Sequence, residues 1–252
     1  MQRMKACGDN VDRNQQFEII SAKKESYNNS NCPIISVDTK KKEYLGNLHR
    51  DGKALCTQPI EVYDHDYNHM SDGKIVPHGI YDLKENHGYL SLGTNYETAE
   101  FVCDSMKAWW HDVGKLKYPN ASKILILLDS GGANSYRHHI FKIELQKLAN
   151  EIGVTLEIAH YPPYTSKWNP IEHRVFPHVG RQLSGLPLLS AEDAKEKIEK
   201  TKTTTGMKVV CKIIKKTYEI GKRATRAMVE KINIKFDELL AKFNYSIAPE
   251  VT

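Results

Sequence analysis

The run at 124–128, ILILL, constrains this chain more than any other segment: five consecutive large aliphatic residues ending at Asp129. Such a run is too short for an ordinary helix and reads as a strand. A strand apolar at every position is buried on both faces, as inside a sheet covered by helices on either side. The flanking pattern agrees. Phe141, Leu145, Leu148 and Ile152 share one face of a helix expected over about 135–152, Gly153 stops it, and a further strand is expected at 154–159. Two strands joined through a helix point to an α/β sheet with a parallel pair.

Upstream, PIISV at 33–37 is a second short buried strand, and it ends at Asp38. Candidate strands follow at 44–48, 79–83 and 88–93, with an irregular, Asp- and His-rich insertion at 57–74. A helix is expected after the capping-box spacing Thr94–Glu97, with Phe101, Val102, Met106, Trp109, Trp110 and Val113 on its apolar face and Gly114 as its C-terminal stop. Residues 14–23 predict a short helix whose packing partner is not visible. A third helix starts at Asn169, and Pro177 predicts a kink or an end near Phe176. Beyond Gly185 come a charged helix at 190–200, a strand at 208–214 and a lysine-rich remainder.

Composition narrows the functional classes. Five widely spaced cysteines with no Cys-x-x-Cys pair argue against a disulfide framework or a cysteine zinc site. No apolar stretch approaches the roughly 20 residues of a membrane helix, and no signal peptide is visible, so a cytoplasmic protein is expected. A net charge of +5 leans mildly towards a polyanionic partner.

Asp38 and Asp129 both follow buried strands, where side chains of open α/β sheets reach out of the packed layer. Glu172 lies in the first turn of the third helix. Three converging carboxylates can hold divalent cations through oxygen and leave room for phosphate and water. Each also has a plain reading: an aspartate after a strand is an ordinary turn former, and Glu172 occupies the capping-box position after Asn169. Gly131 and Gly132 lack the Gly-Lys-Ser/Thr sequel of a phosphate loop and are read as a sharp turn beside Asp129. His160 is read as structural. His65 and His69 fall in loop-like sequence.

The segment 161–173, YPPYTSKWNPIEH, resembles the last catalytic block of mariner-type DDE transposases, and SVDTKKKE (36–43) and LLDSGGAN (127–134) resemble the two earlier blocks. The resemblance is closer still to the Rhodopirellula-type insertion-sequence transposase family, through VDTKKKE, GIYDL, TAEF, KIELQKLA, TSKWN and IEHR, and runs from about residue 12 into the C-terminal region. It implies a ribonuclease-H-like mixed α/β sheet flanked by helices, with a basic C-terminal extension. It also implies Asp38, Asp129 and Glu172 as catalytic acids holding two Mg²⁺ or Mn²⁺ ions. The expected chemistry is DNA phosphodiester hydrolysis followed by strand transfer. The implied partners are transposon ends and target DNA, with a homodimer on paired ends, in the nucleoid.

On this basis residues 1–32 are a lead-in, 33–186 the catalytic domain and 187–252 a basic C-terminal subdomain. Family members carry a helix-turn-helix region before the first acid, so an N-terminally truncated protein is expected. Lys40 and Lys41 are either phosphate contacts or part of a solvated run. Lys167, Trp168 and His173 are candidate DNA contacts, by charge, base stacking and phosphate contact respectively. The competing expectations are a nuclease that cuts without joining, and an inactive remnant that binds only DNA or a partner.

Overall fold

The computed structural model describes residues 12–250. In chain order it comprises α1 (Arg13–Asn28), β1 (Ile34–Thr39), β2 (Glu43–Leu45), β3 (Gly73–Asp82), β4 (His87–Gly93), α2 (Ala99–Trp109), α3 (Lys115–Lys117) and β5 (Lys123–Leu128). There follow α4 (His139–Ile152), β6 (Thr155–His160), α5 (Pro170–Arg174), α6 (Phe176–Gln182), α7 (Ala191–Glu199), β7 (Lys208–Ile214), α8 (Arg226–Glu230), β8 (Ile234–Phe236) and β9 (Asn244–Ile247).

One nine-stranded sheet runs β7-β4-β3-β1-β5-β6-β9-β8, with β2 paired to β3. It is mixed. β1, β5 and β6 are mutually parallel, while β3 and β4 pair antiparallel beside β1. The expected inner strand is β5, whose residues from Ile124 to Leu128 are all buried. Helices cover both faces. Ile35, Val37, Ile126 and Leu128 pack with α2 and α4, while Ile34, Leu125 and Leu127 pack with Ile20 and Tyr27 of α1. Side chains alternate along a strand, so Asp38 shares the face of Ile34 and Ser36, and Asp129 that of Leu125 and Leu127. Both acids therefore leave the sheet on the same side.

The structure supplies the packing partner of α1. Gln16 and Asn244 exchange two side-chain hydrogen bonds (2.9 and 2.7 Å), and Lys23 and Tyr27 both reach Glu157 of β6.

Two helix boundaries differ from expectation. Thr98, not Thr94, caps α2, its hydroxyl accepting from the Phe101 N–H. Gly114 does not stop the helix: its φ is −59°, and the chain passes through a π-helical turn (Trp110–Gly114) into α3. A side chain there would collide with the Trp110 ring (2.7 Å), so the glycine serves the packing of the paired tryptophans rather than a turn. The segment His65–Met70 is a 3-10 element broken at Tyr67.

Residues beyond 186 join the same sheet. β7 extends it in parallel beyond β4, and β9 adds to β6. Several lysines of this region meet acids of the helical segment opposite: Lys216 with Asp104, Lys222 with Glu100, and Lys212 with Asp112. Exposed pairs of this kind contribute about 0–1 kcal/mol each. They set where the chain runs and spend its positive charge internally.

Candidate active site

The three acids arrive from three elements on one side of the sheet. Asp38 is in β1, Asp129 immediately follows β5, and Glu172 is the third residue of α5. All three are half-buried. The Asp38 carboxyl lies close enough to Glu172 for a hydrogen bond between the two when one is protonated, and within electrostatic reach of Asp129, which also senses Glu172. The Asp38 carboxylate accepts from the Thr39 N–H at 2.7 Å. Gly132, at φ +63°, turns the chain beside Asp129 as expected.

What brings Glu172 to β1 is a buried polar lock that local sequence does not reveal. The Ser36 hydroxyl donates to the Asn169 side-chain oxygen and accepts from the Ile171 N–H at 3.0 Å. The Asn169 amide donates to the Val37 carbonyl at 3.1 Å. Ile171 N–H is one of the donors that every helix start leaves unpaired, so Ser36 caps α5 from a neighbouring strand. Asn169 therefore makes no side-chain cap of its own. A sequence signal existed: Ser36 is a hydroxyl inside the apolar run PIISV, and a buried hydroxyl requires a partner.

Ser36→Ala and Asn169→Ala should each cost about 1–3 kcal/mol, because each leaves buried polar groups unpaired. Thermal denaturation should show roughly 2–4 °C lost per kcal/mol.

The helix carrying Glu172 breaks at Val175 (φ −118°, ψ −58°), just before Pro177 and close to the expected kink. Glu172 lies ahead of the break. Ile171 and Phe176, on either side of it, are buried against β3.

Electrostatically the site is strained by like charge. Burial, the Asp129 charge and the Glu172 hydrogen bond push the Asp38 carboxyl up to about 8. Burial, with the charges of Glu172 and Glu97, pushes Asp129 up to about 6. Among the described residues, no lysine or arginine pairs with these three acids. Nor are any three acidic, histidine or cysteine groups among them already arranged as a metal cage. An all-oxygen set with uncompensated negative charge suits a hard divalent cation, and Asp38, Asp129 and Glu172 are the residues that would hold it.

Two further residues bear on Asp129. His160 is fully buried, and burial holds it at about 4, hence neutral. Its Nδ1 lies 2.9 Å from the Asp129 carbonyl and its Nε2 3.1 Å from the Tyr245 hydroxyl. A neutral ring meets both by donating from Nδ1 and accepting at Nε2. The expected structural histidine thus fixes the backbone of an acid. Glu97, a capping residue by its sequence spacing, instead stands as a fourth carboxylate beside Asp129, its Oε1 3.7 Å from where a side chain on Gly132 would begin.

The candidate DNA contacts separate into held and free groups. Lys40 is tied to Glu43, which also receives Arg50 at 2.7 Å. His173 is occupied by the Lys167 carbonyl. Lys41, Lys167 and Trp168 are exposed, the last two on a 3-10 turn just ahead of Asn169.

A family model described as the Rhodopirellula transposase DDE domain matches residues 1–249. Among solved structures, the Mos1 transposase paired-end complex with left transposon end is similar at 16% identity and a TM-score of 0.50. That match covers 78% of this chain and 57% of the other, so this chain spans a little over half the length of the protein it matches. The Mos1 mariner paired end complex with Mn matches at 14% identity and a TM-score of 0.46, over 78% and 58%. A comparison with curated protein sequences finds no match. The similarity supports a ribonuclease-H-like fold.

Proposed function

Because the chain belongs to the Rhodopirellula transposase DDE domain family, we propose that it cuts DNA phosphodiester bonds at insertion-sequence ends and joins the freed 3′ ends to target DNA. Asp38, Asp129 and Glu172 are the catalytic acids in this reading. The observation that carries it is the meeting of these carboxylates from β1, β5 and α5 without a basic partner among the described residues. Two bound Mg²⁺ or Mn²⁺ ions would activate the attacking oxygen and stabilise the leaving one.

The chain's own residues prepare that event. Asp38 and Glu172 would hold the cations through their carboxylate oxygens. Ser36 and Asn169 fix α5 against β1, and His160 fixes the backbone at Asp129. Lys41 and Lys167, both exposed, would attract phosphates, whereas Lys40 and His173 would reach DNA only by exchanging their present partners. The Mos1 neighbour is a paired-end complex with a transposon end, and assembly on paired DNA ends is the corresponding proposal for this chain.

The test is Mg²⁺- or Mn²⁺-dependent nicking and strand transfer on duplexes carrying the element's end sequences. Nicked and joined products support the reading, and nicking alone would favour a nuclease. Absence of any metal-dependent cleavage on those ends would overturn it.

A further inference from the structure

Two clefts lie between α1 and the segment from Trp168 to Arg174. The first, about 260 Å³, is bounded by Arg13, Asn14, Phe17 and Trp168. The second, about 780 Å³, has Lys24 and Asn28 on the α1 side, His173 and Arg174 on the other, and Tyr81 and Leu83 of the segment paired with the start of β1. No acidic residue lines either cleft among the described residues. Positions 13, 17, 24 and 28 recur at spacings of four, seven and four, which places them on one face of α1. Glu18 and Glu25 fall about 100° further round the helix. Arg13, Lys24, Lys167 and Arg174 make no ion pair among the described residues, unlike many lysines of the C-terminal region.

The aromatic element is unusual for a rigid turn. Trp168 is 55% exposed, although Asn169 next to it is locked to β1. Phe17 buttresses its ring edge-on, with centroids 6.1 Å apart and planes at 73°, and Lys167 Nζ lies 5.8 Å from the ring centroid. A held, exposed indole flanked by free cations offers stacking to a base and charge to its phosphates. Stacking of this kind requires a base whose face is not covered by a neighbour in a duplex.

We infer that the two clefts act as one groove that binds an unpaired DNA strand, with one base stacked on Trp168 and the backbone tracking Arg13, Lys24 and Arg174. The inference rests on the DNA-cutting reading above and specifies the form of DNA held along α1.

Intrinsic fluorescence provides the test, because the other two tryptophans, Trp109 and Trp110, are 1% and 4% exposed and Trp168 alone faces solvent. The protein is titrated with a short single-stranded oligodeoxynucleotide, with the same strand made abasic, and with the blunt duplex. The single strand should quench saturably and bind about tenfold or more tighter than the abasic strand, the size of one base–aromatic stack. Equal binding of the abasic strand or the duplex, or no quenching, overturns the inference.

As a second measurement, anisotropy of an end-labelled strand should show about a tenfold loss for Trp168→Ala and most of the affinity retained by Trp168→Phe. Equal loss in both variants, or none in either, overturns the stacking role. Mn²⁺ binding and duplex nicking are measured in parallel on the unmodified chain. Their presence without strand quenching removes the groove alone, and the lack of both removes the underlying reading.

Discussion

Asp38→Asn and Asp129→Asn should each lower metal-dependent DNA cleavage on the order of 10³-fold or more while making the metal-free protein more stable at pH 8. The two effects have one cause. In the folded chain the Asp38 carboxyl is pushed up to about 8 and Asp129 to about 6, against 3.8 for a free aspartate. The folded state therefore holds protons that the unfolded state has released between pH 3.8 and 8, so stability falls as pH rises through that window. The loss should reach a few kcal/mol by pH 8, at about 1.4 kcal/mol per pKa unit before relaxation. Asn carries no such charge. Denaturation curves for the metal-free protein should thus decline from pH 5 to 8 and flatten in Asp38→Asn. Cation binding should restore the wild type at pH 8 and leave the variant unchanged. A stability-only effect with cleavage intact would detach these acids from the chemistry.

The second large effect is expected at Gly79. This residue pairs with Asp38 across β1 and β3, on the same face. A Cβ there would lie 2.7 Å from Ile171 Cδ1 and 2.7 Å from Phe176 Cε1. The isoleucine tip can swing aside, but the phenylalanine ring, only 6% exposed, has little freedom. Gly79→Ala should cost about 1–3 kcal/mol through overpacking, with roughly 2–4 °C lost per kcal/mol. Gly79→Leu should lift α5 from the sheet and carry Glu172 with it. In that variant, cleavage and Mn²⁺ affinity should both fall by more than about tenfold even below the melting temperature. Full activity in Gly79→Leu would mean that the close packing of α5 on β3 does not position the acid.

The sheet was legible where one physical rule decided the pattern. ILILL read as an inner strand and both aspartates as strand-end acids, but their common face follows from the β1–β5 register, Val37 opposite Leu128, which no local pattern carries. Local signals were weaker where tertiary partners decided. Thr94–Glu97 and Thr98–Phe101 both offer capping chemistry, and packing selected the second. Gly114 read as a stop because glycine often ends helices, yet here it makes room for Trp109 and Trp110. The partner of α1 was hidden because Gln16 meets Asn244, 228 residues away. For the same reason the role of Ser36 could be suspected but not assigned: its partners, Asn169 and Ile171, are 133 and 135 residues distant. The reading of Glu172 as its own helix's cap weakens because the Asn169 N–H that it would accept from donates to the Ser166 carbonyl at 2.8 Å, and Glu172 faces Asp38.

The most direct test of the acids as a shared cation site is a calorimetric Mn²⁺ titration of the unmodified chain beside Asp38→Asn, Asp129→Asn and Glu172→Gln. The expected result is saturable binding with proton release near pH 7, weakened at least about tenfold by each substitution. Unchanged Mn²⁺ binding in all three variants would contradict it.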